Sequence, residues 1–285
     1  MNPFTCNHLF RGSESLKGRF PKLGNLCLKR VFKIVCAVWF FAGFAATVSA
    51  ADVTPLKERA ESAYQNGRWL ESRNTLLRAY LLADAAEQKK EVLDRLGEMN
   101  MLLLLGPYEQ PEAIWLEVQP GDTLGKIAKR AGTTIELLKA MNRLSSNQVR
   151  LGRRLKVLYD SFEVKIDKSE NTAELYLGDK LFKRYAVSTG ARANTPVGEF
   201  KITDRIVHPD WWHPETGQRI KYGEPGHRIG THWLGWDVKG FGIHGTDEPE
   251  KIGQAVSLGC VRMLNKEVAE LYMLLPSGTK VTVTE

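Results

Sequence analysis

Residues 242–262 read GIHGTDEPEKIGQAVSLGCVR, and this stretch carries the strongest indication of both fold and chemistry. It holds His244 and Cys260 in two short strings that contain glycines. A thiol needs a neighbouring base to act as a nucleophile at neutral pH, and histidine is the usual one. Gly245 has no side chain, so its carbonyl can approach the imidazole closely and fix its tautomer. The stretch therefore predicts a nucleophilic thiol with an imidazole base.

The residues around the cysteine suggest further roles. Gly259 permits a sharp bend, so we expect the backbone N–H groups of Gly259 and Cys260 to stabilise an oxyanion. Arg262 follows two positions later and shares a face with the cysteine in an extended strand. A guanidinium binds a carboxylate through two parallel hydrogen bonds. We therefore predict Arg262 as a substrate-binding residue, together with Ser257 in the same string.

The cysteine count separates this thiol from the others. Cys6, Cys27 and Cys36 lie in the first fifty residues, and Cys260 is the one cysteine that follows them. An unpaired thiol in an exported protein is either buried and inert or kept for its reactivity. The count alone leaves both interpretations open.

The first fifty residues resemble an export segment. Residues 1–33 hold seven basic side chains and one acid, and residues 34–51 carry no charge. This pattern predicts a signal peptide with cleavage after Ala50, or alternatively a membrane anchor through residues 31–51. Both interpretations place the remaining chain in the periplasm or cell wall, free or anchored to the inner membrane. Of the formal charge of +7, only +1 lies beyond this region, which excludes a broad basic surface for nucleic acid.

Residues 54–106 are expected to be helical, with apolar positions at helical spacing and breaks at Gly67 and Gly106. The stretch AESAYQNGRWLESRNTLLRAYLLA, residues 60–83, resembles a tetratricopeptide repeat in its small and aromatic positions. There is room for about one and a half such units. The other interpretation is a short helical hairpin that packs against a neighbouring segment or serves as a spacer.

Residues 114–159 have a strand-like run at each end and two helical patterns between them. Asp122 or Thr123 is expected to cap the first helix, and Thr133 or Thr134 the second. The order strand–helix–helix–strand is thus expected. The segment resembles the LysM domain, a family that binds N-acetylglucosamine-containing glycans such as peptidoglycan.

The LysM resemblance carries over to one loop. It implies that a glycan groove is lined by the turn at residues 147–150 and by four consecutive residues: Gly121, Asp122, Thr123 and Leu124. The alternative is that the glycine and the aspartate serve only the turn and the helix cap. The two roles are compatible, because a tight turn also leaves backbone groups for sugar hydroxyls.

Residues 161–285 alternate with period two in FEVKI, AELYL and LFKRYAVS, which predicts strands. One helix is expected after residue 264, with Asn265 as its cap. The whole chain is therefore predicted to be multidomain. A mostly-β sandwich or barrel with one helix follows a βααβ LysM domain and a short α-helical segment.

This last segment resembles the catalytic domain of the L,D-transpeptidases of the YkuD family, over about residues 162–283. The resemblance rests on GIHGT and SLGCVR, with TPVGEF (195–200) upstream and THWLG (231–235) before them. It implies that Cys260 is the nucleophile, that His244 is the base and that the carbonyl of Gly245 orients it. Arg262 matches the family's arginine after the cysteine. Leu258 stands where many members have histidine, which we interpret as a change of pocket lining.

The resemblance implies a reaction with two acyl steps. Cys260 attacks the bond between diaminopimelate and the terminal D-alanine of a tetrapeptide stem, D-alanine leaves and a thioester forms. An amine of a second stem then gives a 3→3 cross-link, whereas water would make the enzyme an L,D-carboxypeptidase. Trp233, the tryptophan of THWLG, is a candidate to stack on substrate. Peptidoglycan is the expected partner, and no metal or other cofactor is expected.

Three other interpretations are possible. Cell-wall amidases and endopeptidases place their cysteine before their histidine, the reverse of the order here. A metal site in the Trp- and Pro-rich stretch lacks helical spacing with a carboxylate partner; its candidates are His208, His213, His227 and His232. A non-catalytic wall-binding protein would explain the LysM resemblance but not the intact cysteine and histidine strings.

Overall fold

The computed structural model describes residues 52–213 and 216–285. The predicted export segment at residues 1–50, and the alternative anchor at residues 31–51, lie outside the described residues. Within the described ranges, no helix is both long and apolar enough to cross a membrane.

The first described segment is a group of three helices. They are α1 (Thr54–Gln65), α2 (Trp69–Leu82) and α3 (Ala86–Leu105). Gly67 adopts a positive φ of 70° between the first two, a conformation that favours glycine. The apolar faces of the helices meet in a core of their own, which includes Leu76, Leu93 and Leu96. The expected helical segment is therefore present.

The LysM-like segment contains two strands around two short helices. They are β1 (Ala113–Glu117), α4 (Leu124–Arg130), α5 (Ile135–Met141) and β2 (Arg154–Leu158). The strands pair antiparallel, with Ala113 opposite Leu158. Of the candidate caps, Thr123 accepts the N–H of Lys126 at 3.2 Å, and Thr134 accepts the N–H of Leu137 at 2.9 Å. The predicted βααβ order is confirmed.

The third segment is built on one curled eight-stranded sheet. The sheet forms a half-barrel, which agrees with the expected mostly-β architecture. Its order is β13-β11-β10-β7-β14-β3-β4-β5. The strands are β3 (Phe162–Asp167), β4 (Thr172–Leu177), β5 (Lys180–Ala186), β7 (Gly198–Val207), β10 (His232–Trp236), β11 (Gly242–His244), β13 (Val261–Arg262) and β14 (Lys280–Thr284). The pairs β14–β3 and β11–β13 are parallel and the others antiparallel.

Shorter elements surround the end of the sheet that carries β11 and β13. They are β6 (Thr189–Gly190), β8 (Trp211–Trp212), β9 (Arg219–Ile220), β12 (Ala255–Ser257), and two 3-10 turns at Ala191–Ala193 and Pro249–Lys251. The single predicted helix is α6 (Asn265–Leu274), which buries Val268, Leu271 and Leu274 against the sheet.

Side chains from the two preceding segments join the core of the large sheet. Leu104 comes from α3, and Leu137 and Met141 come from α5. Thr134 contacts the carbonyl of Met273 at the end of α6. Arg205, on β7, lies 3.5 Å from the carboxylate of Glu136 on α5, and it also donates to the carbonyl of Tyr272 on α6 at 2.6 Å. The LysM-like segment is thus packed onto the sheet domain rather than joined to it only by the chain.

A buried lysine ties the LysM-like segment to the helices. Lys156, on β2, is only 1% exposed to solvent. Its ammonium donates to the carbonyls of Leu103 at 2.7 Å, Leu104 at 3.3 Å and Gly106 at 2.9 Å. Burial lowers the pKa of Lys156 to about 8. A cation at a helix C-terminus can bind carbonyls that have no hydrogen-bond partner within the helix. Lys156 therefore caps the C-terminus of α3.

Candidate active site

Cys260 lies in the tight turn between β12 and β13, and hydrogen bonds of Ser257 stabilise that turn. The Ser257 hydroxyl accepts the N–H of Gly259 at 3.0 Å and donates to the carbonyl of Cys260 at 2.5 Å. Ser257 is only 2% exposed. Ser257 borders the cavity, and its hydroxyl also supports the turn that carries the thiol, so its role in substrate binding stays a prediction.

Gly259 is required by geometry. Its φ is 142°, and a Cβ there would lie 2.8 Å from the ring of Phe241. Its N–H, however, already donates to Ser257. The prediction that the Gly259 N–H meets an oxyanion is therefore corrected, and the Cys260 N–H remains as the candidate donor of the pair.

His244 ends β11 and is buried, and its Nδ1 lies 2.6 Å from the carbonyl oxygen of Gly245. A carbonyl oxygen can only accept, so Nδ1 carries the proton and Nε2 of the neutral ring is left as an acceptor. This tautomer is assigned from the contact. The arrangement matches the predicted orienting role of the Gly245 carbonyl.

Asn265 fixes the loop that carries that carbonyl. Its Oδ1 accepts the N–H of Thr231 at 3.1 Å, and its Nδ2 donates to the carbonyl of Thr246 at 2.9 Å. A Cβ on Gly245 would collide with Asn265 Oδ1. The predicted capping role of Asn265 is wrong, because α6 begins at this residue and its side chain instead joins two loops.

The surroundings keep both candidate catalytic groups neutral. Burial lowers the pKa of His244 to about 4. Burial also raises the pKa of Cys260 to about 11, against the opposing effects of the Gly242 backbone and the charge of Arg262. Near pH 7 the pair is thus a thiol and a neutral imidazole, so removal of the thiol proton must accompany attack on a substrate.

The predicted residues gather around one cavity of about 530 Å³. Its walls include His244, Ser257, Gly259, Cys260, Arg262 and Trp233. The Trp233 and His244 rings stack with their centroids 5.8 Å apart. Gly245 lies behind the imidazole and not in the wall. A buried base with a free acceptor nitrogen and a half-buried thiol thus open on the same space, as an acyl transfer through the thiol requires.

Comparisons with known proteins agree with this geometry. The sequence model of the L,D-transpeptidase catalytic domain YkuD matches residues 161–283, and that of the LysM domain matches residues 116–158. The Bacillus licheniformis protein named "Putative L,D-transpeptidase YkuD" is 37% identical over 176 residues, which cover 59% of this chain and 97% of that protein. The chain belongs to the YkuD family of L,D-transpeptidases.

Two further similar proteins also carry the L,D-transpeptidase name. The Bacillus subtilis YkuD protein is 34% identical over 175 residues, covering 59% of this chain and 96% of its own. The solved catalytic domain of an Enterococcus faecium L,D-transpeptidase is 20% identical, with a TM-score of 0.37 over 44% of this chain and 98% of that one. At that score the structural likeness adds nothing to the assignment.

In the L,D-transpeptidase domain, Arg262 is already paired. Its Nη1 lies 3.1 Å from Oε2 of Glu248, and its side chain is 13% exposed. Glu248 also contacts Lys251 and lies 3.8 Å from Arg228. Arg262 lines the cavity as predicted, and a guanidinium has five N–H donors, so the ion pair leaves donors for a substrate carboxylate. Sequence reasoning missed Glu248, which no motif distinguishes from other surface acids.

The Trp- and Pro-rich stretch contributes to the wall of the cavity. Trp211 and Trp212, on β8, and Arg228 belong to the cavity wall. His208 stacks on Tyr222 with ring centroids 4.1 Å apart. Among residues 52–213 and 216–285 there is no group of three or more His, Cys, Asp or Glu side chains able to hold a metal.

The LysM loop lies apart from this cavity, and its four predicted residues play unequal parts. Gly121 is exposed with a φ of 81°. The Asp122 carboxylate accepts the N–H of Gln119 at 3.0 Å and pairs with Arg130 at 3.2 Å, while Thr123 caps α4. Leu124 is only 1% exposed and belongs to the LysM core. We therefore correct the prediction that Leu124 lines a glycan groove.

The low pKa of His244 predicts a loss of stability in acid. In the unfolded chain an imidazole titrates near pH 6.5. Between that value and about 4, the unfolded state binds more protons than the folded state. The free energy of unfolding should fall as pH is lowered through this window, by up to roughly 3 kcal/mol from this group alone. Urea denaturation from pH 7 to 4.5 should show a shallower fall for His244→Asn, and equal slopes would contradict the buried neutral imidazole.

Proposed function

We propose that this chain is an exported L,D-transpeptidase that forms 3→3 cross-links in peptidoglycan through a thioester on Cys260. The observation that carries the proposal is the contact between Nδ1 of His244 and the Gly245 carbonyl. It leaves Nε2 as a proton acceptor beside the cavity that the Cys260 thiol also borders. Cell-wall action agrees with an exported protein and with peptidoglycan as the partner of both domains.

The first acyl step uses the groups in this cavity. The Cys260 sulfur attacks the carbonyl carbon between diaminopimelate and D-alanine, and the thiol proton passes to Nε2 of His244. The carbonyl electron pair moves to oxygen, where the Cys260 N–H is the candidate donor. The oxyanion then collapses, the C–N bond breaks, and the departing amine of D-alanine takes the proton back from the imidazolium. A thioester and a neutral imidazole remain.

The second acyl step reverses these movements with another nucleophile. The side-chain amine of a second stem attacks the thioester and gives a proton to His244. The new oxyanion collapses and expels the sulfur, which recovers that proton as a thiol. The product is an amide between two diaminopimelate residues. If water attacks instead, the product is a tripeptide stem and the enzyme is an L,D-carboxypeptidase.

The identity of the products tests this function. The chain from Asp52 onward is incubated with a disaccharide tetrapeptide, and the products are identified by mass. A cross-linked dimer that has lost one D-alanine supports the transpeptidase. A tripeptide monomer alone would assign the carboxypeptidase. Release of no D-alanine would leave a wall-binding protein without this activity.

The LysM loop is proposed to hold the enzyme on glycan strands. Deleting residues 52–160 is a poor test, because Leu104, Leu137 and Met141 would leave the core of the sheet domain. Asn147 and Arg150 instead lie exposed on the second predicted groove element. The variant carrying Asn147→Ala and Arg150→Ala should be retained on insoluble peptidoglycan roughly fivefold less, which corresponds to the loss of about one net hydrogen bond.

The matched control for this prediction is Lys129→Ala, an exposed charge change on α4 that is not one of the proposed groove residues. Its retention should equal that of the parent chain. Activity on soluble disaccharide tetrapeptide should be the same in all three proteins. Unchanged retention of the double variant would overturn the proposed groove.

A further inference from the structure

Thr195 lies directly behind the cysteine turn and is completely buried. Its hydroxyl lies 2.8 Å from the carbonyl oxygen of Gly259 and 2.7 Å from the backbone nitrogen of Gly190. The Gly190 N–H can only donate, so the single hydrogen of the Thr195 hydroxyl is available for the carbonyl. The direction of both hydrogen bonds is thereby fixed, and Thr195 donates to Gly259.

This contact sets the plane of the peptide bond between Gly259 and Cys260. In a trans peptide the C=O and the N–H of the same plane point in opposite directions. The Gly259 carbonyl points toward buried Thr195, so the Cys260 N–H points away from it. Gly259 and Cys260 both border the cavity. The hydrogen bond behind the turn therefore aims the Cys260 N–H at the space where a substrate carbonyl would bind.

The other donor of the turn is not available. The Gly259 N–H donates to Ser257, whose hydroxyl in turn donates to the Cys260 carbonyl. Thr195 and Ser257 thus stabilise different parts of this turn. Ser257 occupies the polar groups on either side of the central peptide bond, and Thr195 orients that bond itself.

The position of Thr195 is itself closely determined. Gly190 ends β6, which pairs with β12, the strand that leads into the cysteine turn. A Cβ on Gly190 would lie 2.6 Å from the backbone nitrogen of Thr195. The loop before Thr195 includes Arg192 and Ala193 at φ 53° and 60°. Such left-handed residues persist where surrounding contacts over-determine them, often at functional sites.

We propose that Thr195 is a positioning residue for the oxyanion of the acyl steps, acting through the Gly259 carbonyl on the Cys260 N–H. The inference rests on the proposed function, because it assumes a thioester at Cys260. Thr195 does not touch the substrate. Its hydroxyl holds a donor in the direction that the negative oxygen needs, before the reaction begins.

Two reactions at the same thiol separate this role from simple packing. Acylation by a carbapenem passes through a tetrahedral oxyanion, in which sulfur bonds to the lactam carbonyl carbon and the C–N bond then breaks. Alkylation by iodoacetamide displaces iodide from a saturated carbon and forms no oxyanion. Both reactions need the same accessible thiol. A residue that serves only the oxyanion should affect the first reaction and not the second.

The principal variant is Thr195→Val, which keeps the branched shape and removes the hydroxyl. Its acylation rate constant should fall about 10- to 100-fold, somewhat less than the loss of a whole oxyanion donor. Its alkylation rate should stay within about twofold of the parent, the scatter expected when the thiol itself is untouched. Thr195→Ser restores the hydroxyl and should recover acylation. Thermal unfolding checks the fold, and Thr195→Ala carries the same expectation if the valine variant does not fold.

Each result decides the proposal. Slower acylation with unchanged alkylation, rescued by Thr195→Ser, supports it. Equal slowing of both reactions, or no slowing of either, would overturn it. A parent chain that is alkylated at Cys260 but never acylated would instead contradict the proposed function, so the two failures are distinguishable.

Discussion

Cys260→Ala should release no D-alanine from a disaccharide tetrapeptide and should form no cross-linked dimer. The thiol is the only group in the cavity proposed to bond covalently to substrate, so a methyl group in its place leaves no route to the thioester. Stability should change little, because the hydrogen bond from the Sγ to the carbonyl of Gly240, at 3.3 Å, is a weak one. The unfolding midpoint should shift by less than about 3 °C.

Mass spectrometry after carbapenem treatment provides the control for this loss. The parent chain from Asp52 should gain one adduct, on Cys260, and the alanine variant should gain none. Cys260 is the one cysteine in that part of the sequence, so it is the one residue there that can carry a thiol adduct. Product formation by Cys260→Ala, or an adduct on another residue, would refute the cysteine mechanism.

His244→Asn should slow D-alanine release and carbapenem acylation by about 10²–10⁴-fold, the usual worth of a general base. Asparagine offers an N–H that can replace the donation from Nδ1 to the Gly245 carbonyl. It has nothing in the place of Nε2 that can take up a proton. The variant therefore removes proton transfer while it keeps the contact that orders the loop.

The matched control is His232→Asn. His232 lies on β10 beside Tyr272 and is not part of the cavity wall. Its substitution should leave the acylation rate within about twofold, as is usual for a position outside the site. Acylation of His244→Asn at the parent rate would show that another group receives the thiol proton.

The sequence predicted those features whose signals are local. Thr123 and Thr134 were recognisable as helix caps because a cap and its helix are neighbours in the chain. The strings around His244 and Cys260 were recognisable because glycines and reactive side chains stand next to each other. Periodicity alone left the sheet open as a sandwich or barrel, since alternation tells which residues face inward but not which strands pair.

The contacts that the sequence did not predict join residues far apart in the chain. Thr195 and Gly259 are 64 positions apart, and Lys156 and Leu103 are 53 apart. The expected cap role of Asn265 and the expected oxyanion role of the Gly259 N–H are wrong for a different reason. A motif shows which residues come together, but only coordinates show which of their hydrogen-bonding atoms are already used.

The packing of the LysM domain against α6 has a consequence for the pattern of the wall. Because Thr134 contacts Met273 and Glu136 pairs with Arg205 across the two domains, a glycan strand bound at the LysM loop would lie at a fixed distance from the cysteine. A stem peptide at that distance meets the thiol at a high effective concentration. Stem peptides elsewhere on the strand reach the thiol only after the LysM domain dissociates from the strand. The spacing of cross-links along a glycan strand would then be set by the distance between the LysM loop and Cys260 within one molecule.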